Sequence, residues 1–425
     1  LLKQNRKKAK NKKRERLKNN YFIVEAITNL KHYNHVKNRA LIFTVLFFLL
    51  FQFSPAQLSD LETRCLWIVR ESMYTEEMID SALVYAYQSG YDIVFVQVRG
   101  RGYAFYDSEI VPKHPGIAPD FDPLEYAVIL GHALGIEVHA WMNSYILWSS
   151  KQPPSDPRHL YHTHKEWTEA NIHGKMDSQI KLSAPQSPQW EGIYLSPTHP
   201  EVNSYLLSVN SEIIENYKID GIHLDYIRFQ DEVYGYNREG MAAFENIYNI
   251  NPRDIVRGII STRFGWSKEF VDSMYVAWDQ FRLDAVTELV NNIYEKIQES
   301  SQNISLSAAV KPNLVEARFR WYQDWGRWVQ EGMIDFVVPM NYFKEIRDYN
   351  NSVQIMKANL EPEDLKLVIM GVSTYNQDAQ SAADKILLAR LNGFNGVSIF
   401  SYDSHKNNLE WFQPVTKALG QPSFD

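Results

Sequence analysis

The sequence predicts an α/β protein, a (β/α)8 TIM barrel with long insertions after strands 3 and 4. Three observations predict it. After residue 60, short apolar runs rich in β-branched residues alternate with amphipathic segments, eight times over. Each run has the length of a buried strand. Seven of the eight end in polar or ionisable residues, which is how a parallel barrel furnishes the mouth at the C-terminal ends of its strands. A doubly wound open sheet is the rival arrangement. No internal repeat, Ser/Gly-rich linker or second domain is evident, so residues 57–425 are expected to form one barrel domain.

In order, the predicted strands are Cys65–Arg70, Asp92–Arg99, Glu137–Asn143, Gly221–Phe229, Ser305–Lys311, Asp335–Tyr342, Leu367–Thr374 and Gly396–Tyr402. The first helix, Thr75–Ser89, opens on the capping-box-like Thr75-Glu76-Glu77-Met78 and stops at Gly90. The next, Asp122–Leu134, starts Asp-Pro and stops at Gly135. Similar spacing marks Glu201–Tyr217, Phe281–Gln298, Trp325–Glu331 and Asp378–Leu391. Two connections are too long to be plain loops: Ser144–Pro200, rich in Trp, Tyr, His and Pro, and Asp231–Gln280. Both leave the mouth side, where long excursions serve as lids or binding loops; packing on the barrel rim is the plainer alternative.

Residues 1–56 stand apart. Residues 1–39 carry 13 Lys/Arg against two Glu, Ala40–Phe53 is apolar except for Thr44 and Gln52, and Ser54-Pro55-Ala56 follows. Basic, then apolar, then small is the order of a secretory signal, and 14 residues are short for a membrane span. Export is therefore expected, with an uncleaved N-terminal membrane anchor as the rival. The remaining chain carries 31 basic and 49 acidic residues, a net of −18. Such an acidic body argues against a nucleic-acid partner. The single cysteine, Cys65, excludes an intramolecular disulfide and a Cys-based metal cluster, and its apolar setting reads as a buried structural thiol.

Residues two apart on a strand share a face. Strand 1 therefore aligns Trp67, Val69 and Glu71; strand 2 aligns Phe95, Gln97 and Arg99; strand 3 aligns His139, Trp141 and Asn143. Strand 4 delivers His223 and Asp225 with Arg228 just beyond, while Lys311, Asn341-Tyr342 and Tyr402-Asp403 end strands 5, 6 and 8. Asp225 is the first candidate for chemistry, because an inward carboxylate at a strand exit needs either partners or a function. Asp225 is expected as nucleophile or base, with Glu71 or Asp403 as the general acid. Two carboxylates among indoles and amides suit glycosidic cleavage, one holding a proton and the other acting as base or nucleophile. His223 and Arg228 would orient or charge-stabilise Asp225, and Arg99, His139, Trp141, Asn143, Lys311, Asn341, Tyr342 and Tyr402 would meet sugar. The blander reading makes His139 and His223 hydrogen-bonded core residues, and Arg99 or Lys311 counter-ions.

Metal-assisted hydrolysis is a third possibility, since His139, His223, Asp225, His159, His162 and His164 are ligand types. No H-x-H or H-E-x-x-H spacing sits on a strand end, however. A P-loop, a G-x-G-x-x-G after strand 1 and a G-x-S-x-G are all lacking, so no nucleotide cofactor or serine nucleophile is expected.

The text V-Q-V-R-G-R-G-Y-A-F-Y-D-S (Val96–Ser108), H-A-W-M-N (His139–Asn143) and P-E-V-N-S-Y (Pro200–Tyr205) resembles the glycosyl-hydrolase-like 10 family. So do D-G-I-H-L-D-Y-I-R-F (Asp220–Phe229), the run from Tyr322 to Tyr342 that ends D-F-V-V-P-M-N-Y, and G-V-S-I-F-S-Y (Gly396–Tyr402). The resemblance covers about 61–415. It implies a (β/α)8 barrel, export and hydrolysis of a poly- or oligosaccharide, with bacterial cell-wall glycan the substrate class for some members. The family's D-Y or D-D pair maps onto Asp225-Tyr226. One departure is that Gly102-Tyr103-Ala104 stands where the family often has Gly-Asp-Ala. Asp107, Glu71 or Asp403 could supply the partner of Asp225 instead. A catalytically silent glycan-binding barrel is the alternative that this departure motivates. Between active carboxylates, a separation of about 5–5.5 Å predicts retention and about 6.5–9.5 Å inversion.

Overall fold

The computed structural model describes residues 60–183 and 190–420; the leader or anchor expected in 1–56 lies outside them. The eight apolar runs become eight parallel strands. They are β1 (Thr63–Ile68), β2 (Ile93–Gly100), β3 (Glu137–Asn143), β4 (Gly221–Asp225), β5 (Ser305–Val310), β6 (Phe336–Pro339), β7 (Ile369–Ser373) and β8 (Gly396–Phe400). Consecutive strands pair in parallel, and β8 returns to pair with β1 from Thr63↔Gly396 to Leu66↔Ile399. Between β6 and β7 the ladder is reduced to one bridge, Val337↔Val368, which leaves the barrel nearly closed.

Helices alternate with the strands: α1 (Glu76–Gln88), α2 (Pro123–Leu134), α3 (Val202–Asn216), α4 (Lys268–Glu299), α5 (Trp325–Gln330), α6 (Ile346–Asn359), α7 (Ala379–Leu391) and α8 (Gln413–Ala418). Local chemistry sets their ends. Asp122 caps α2 by accepting the Glu125 N–H at 3.0 Å, Pro123 fits the first turn, and Gly135 closes it at φ 75. The strands read as near-continuous apolar runs because both faces are buried: Leu66, Val94 and Ile222 pack toward the helices, and Trp67, Phe95 and Trp141 fill the lumen.

Two segments depart from the sequence reading. The helix predicted from Phe281 begins at Lys268 and runs for 32 residues, because Ser267 caps it by accepting the Phe270 N–H at 3.1 Å. Its early turns, with the helices Arg238–Tyr248 and Pro252–Val256, enclose a small core around Phe244, Ile255 and Trp278. The excursion Asp231–Gln280 is thus packing on the rim, and none of its residues lines the mouth cavity. The strands β1 and β4 are also shorter than their apolar runs, ending at Ile68 and Asp225.

Candidate active site

The β3–β4 register builds the site in layers: His139↔Gly221, then Trp141↔His223, then Asn143↔Asp225 at the rim. The lowest layer explains the glycine of D-G-I-H-L-D, since a Cβ on Gly221 would overlap the His139 imidazole. Above it the lumen is aromatic. The His223 ring stacks on Phe95 at 4.0 Å and donates or accepts at Ser307 Oγ, 2.8 Å away, while Trp67 meets Trp141 edge-on at 4.6 Å. Burial holds the His223 imidazole well below its ordinary pKa, with His139 adding to the effect, so it is neutral.

Over this floor opens a cavity of about 650 Å³. Asp225 projects into it from the end of β4, only 6% exposed. Its Oδ2 accepts from Trp141 Nε1 at 3.2 Å, and its Oδ1 accepts the Tyr226 N–H at 2.7 Å. Tyr226 is held at φ 51, a left-handed conformation unusual for an aromatic residue, and the chain is pinned there by Ser144 N–H to Asp225 O and Tyr145 N–H to Tyr226 O. Burial pushes the Asp225 carboxyl up to about 6, against the lowering influence of the Tyr226 N–H, Arg228 and Trp141.

Two further carboxylates line the same cavity: Glu316, exposed and paired with Arg320 at 3.3 Å, and Glu191. Both Glu191 oxygens accept from Arg228 Nη2, at 3.1 and 2.8 Å, and the Tyr194 hydroxyl donates to Oε2. Arg228 is buried, with its guanidinium over the Tyr226 ring at 5.2 Å. Burial alone would raise the Glu191 carboxyl; Arg228 and Lys311 reverse that and hold it below the usual carboxylate range. Lys311, at the exit of β5, lies 4.5 Å over the Trp321 ring. Burial and Arg228 bring its ammonium down to about 8. The site therefore holds two carboxyls whose pKa values are pushed apart, Asp225 up to about 6 and Glu191 below the usual carboxylate range, the separation a two-carboxylate hydrolysis needs.

The family model described as Glycosyl hydrolase-like 10 matches residues 62–385, from the first barrel strand into α7. The chain belongs to the glycosyl hydrolase-like 10 family. It is 22% identical over 300 residues to glycosyl hydrolase DigH of Escherichia coli strain K12, covering 64% of this chain and 59% of DigH. With glycosyl hydrolase YngK of Bacillus subtilis strain 168 it shares 23% identity over 277 residues, covering 60% of this chain and 46% of YngK. The chain thus spans about half the length of these curated relatives. In fold it is similar to the PgaB (BpsB) glycoside hydrolase domain from Bordetella bronchiseptica, at a TM-score of 0.59 and 12% identity, covering 84% of this chain and 97% of that one. Alpha-L-fucosidase isoenzyme 2 from Paenibacillus thiaminolyticus aligns at a TM-score of 0.56 and 12% identity, over 84% of this chain and 48% of that one.

Within this glycosyl hydrolase-like 10 barrel, the residues expected from sequence divide sharply. Asp225, Trp141, Asn143, Arg228, Lys311 and Tyr342 line the cavity. His139 and His223 lie beneath it, fully buried. Arg99 is also buried, its Nη1 donating to the carbonyls of Asn143 and Ser144, so it braces the exit of β3. Asn341 donates to Tyr349 O at 3.1 Å, and Tyr402 packs against Tyr85.

Neither proposed partner carboxylate lines the cavity. The chain leaves β1 at Ile68 and turns into a 3-10 segment, Arg70–Ser72, so the alternation that would aim Glu71 inward has already ended. Glu71 sits half-exposed, ion-paired with Arg70 at 2.8 Å. Asp403 accepts from Val69 N–H at 2.7 Å and Ser72 Oγ at 2.6 Å, stapling that turn to the exit of β8. Tyr103, where the family often carries an acid, packs under His159 and Trp148, and Asp107 is paired with Lys113. Sequence reasoning missed Glu191. Its one signal was a position in the aromatic-rich excursion after strand 3.

Proposed function

We propose that this barrel is an exported glycoside hydrolase acting on a polysaccharide, with Asp225 as general acid and Glu191 as base or nucleophile. One observation carries the mechanism: Asp225 and Glu191 face one cavity with their pKa values pushed apart, burial raising Asp225 to about 6 and Arg228 with Lys311 holding Glu191 low. Asp225 is then the better proton donor of the two and takes the opposite role to the nucleophile or base expected from sequence. In this reading Asp225 gives its proton to the leaving glycosidic oxygen. Glu191 then attacks the anomeric carbon or removes a proton from the attacking water. Trp141 and Tyr342 line the cavity as faces for a pyranose ring, and Asn143 supplies an amide to its hydroxyls. The family membership supports glycosidic bonds as the target. The basic, apolar, small order of residues 1–56 supports export, and bacterial cell-wall glycan is the substrate to try first.

Wild type, Asp225→Asn and Glu191→Gln are to be incubated with a glycan panel that includes peptide-free peptidoglycan strands, with NMR of the first product giving its anomeric configuration. Cleavage by wild type and loss of at least about 100-fold in each variant is expected. If Asp225→Asn cleaves as well as wild type, the assignment is wrong.

A further inference from the structure

Two carboxylates that this chemistry does not use lie buried within the excursion after β3. Glu169 and Asp177 are buried, and their neighbours are Trp190, Tyr194, Ser196, Gln230 and Tyr234. Asp177 Oδ2 accepts the Tyr194 N–H at 3.0 Å and Gln230 Nε2 at 3.3 Å, and its Oδ1 accepts from Trp190 Nε1 at 3.4 Å. Gln230 Oε1 in turn accepts the Glu191 N–H at 3.1 Å. These bonds straddle Glu191: one at the residue before it, one at its own backbone, one three residues beyond. Glu169 completes the clasp from behind, donating its N–H to Tyr194 O and accepting the Asp177 N–H at its own carbonyl, both at 2.8 Å.

A buried carboxylate kept only for packing would be replaceable by an apolar residue without loss. Here it gathers its donors from the short segment that carries Glu191 and from the glutamine that holds that segment. We propose that Asp177 is a positioning residue for Glu191, acting through Trp190, Gln230 and Tyr194 to hold that carboxylate against Arg228. The inference rests on Glu191 being a working carboxylate. Burial pushes both carboxyls up, Asp177 to about 7 and Glu169 to about 8, with the Asp177 charge raising Glu169 further. The groups that set the ionisation of Glu191 itself are Arg228, Lys311 and Tyr194, with Asp225 across the cavity.

Asp177→Asn keeps the shape but aims an amide donor either at Trp190 Nε1 or at both the Tyr194 N–H and Gln230 Nε2, so one or two of the three bonds give way to donors facing each other. In the full chain, with the Glu191 side chain carrying a ¹³C-labelled carboxyl, the NMR titration midpoint of Glu191 is expected to rise. It loses part of the Arg228 and Lys311 field that offsets burial. With the glycan that wild type cleaves, kcat is expected to fall about 10- to 100-fold, the scale of an ångström-sized misplacement, with KM within about twofold. Gln230→Ala, which removes the acceptor of the Glu191 N–H and leaves Asp177 in place, should shift the midpoint in the same direction. It decides the matter if Asp177→Asn does not fold. An unmoved Glu191 midpoint in both variants overturns the positioning role. Glu191→Gln separates the two ideas: full turnover in that variant overturns the role of Glu191 and with it that of Asp177. Lost turnover beside an unchanged Asp177→Asn overturns Asp177 alone.

Discussion

Trp141→Phe tests the protonation logic of the site with one hydrogen bond. The substitution keeps an aromatic ring in the lumen and deletes the Nε1–H that Asp225 Oδ2 accepts at 3.2 Å. A hydrogen bond to an ionised acceptor is worth about 1.5–3 kcal/mol net, and one between neutral groups about 0.5–1.5 kcal/mol. The donor thus favours the ionised carboxyl by about 1–1.5 kcal/mol, and at 1.36 kcal/mol per pH unit its removal raises Asp225 by about one unit. The long bond argues for the lower part of that range. The sign is fixed: the indole lowers Asp225 from where burial would leave it, so its loss moves the pKa up from about 6. If Asp225 is the acid, the alkaline limb of kcat/KM moves to higher pH by about that amount. The control is Trp67→Phe, since Trp67 Nε1 has no hydrogen-bond partner among the described residues and its loss should leave the limb in place. A limb that stays put, or moves down, in Trp141→Phe refutes Asp225 as the proton donor.

Other outcomes follow from neighbouring features. Gly221→Ala drives a methyl into the fully buried His139 ring and should destabilise the barrel by about 1–3 kcal/mol, read as a lower urea midpoint; unchanged stability would mean that the layer is not tightly packed. Glu169 is raised to about 8 in the folded chain, so the stability it lends is full below its ordinary unfolded pKa and disappears as the pH climbs through 8. Glu169→Gln should therefore gain on wild type between pH 5 and pH 8.5 by at least about 1.4 kcal/mol in urea unfolding, and an equal difference at both pH values would count against a proton held there. Asp403→Asn should lose about 1–2 kcal/mol of stability by weakening the staple on Val69 and Ser72, and Glu71→Gln should lose under about 0.5 kcal/mol. Neither should change kcat, and a tenfold fall in either would return that residue to the chemistry.

The barrel was legible because its strands are buried on both faces and so announce themselves as apolar runs, and Asp225 was legible because it ends one of them. What sequence reasoning could not see was where alternation stops. It carried Glu71 inward along β1, but the backbone N–H of Val69 is taken by Asp403 and the chain turns out of the strand. Arg228 lowers Asp225 as expected, but its hydrogen bonds close on Glu191, 37 positions earlier in the chain. No local pattern marks Glu191, because its ionisation is set by residues at the exits of two distant strands. The same holds for the long stretch after strand 4: its apolar residues read as candidates for a lid, and only their mutual packing around Trp278 shows that they serve themselves.

The single bridge at Val337↔Val368 has a consequence for how the barrel opens and recloses. Elsewhere adjoining strands share ladders of several pairs, including β1 and β8, which come from opposite ends of the described chain. The weak seam falls instead between two strands that follow one another in sequence, joined through α6 and the 3-10 segment Asp364–Leu367. Closing a loop becomes slowly harder as it lengthens, so a rupture at β6–β7 has an entropic barrier to healing about 2 kcal/mol smaller than one at β1–β8 would have. Brief openings of the wall, and the fastest strand-amide exchange, are to be sought on that side, and the remote pairing that defines the circle stays shut while they occur.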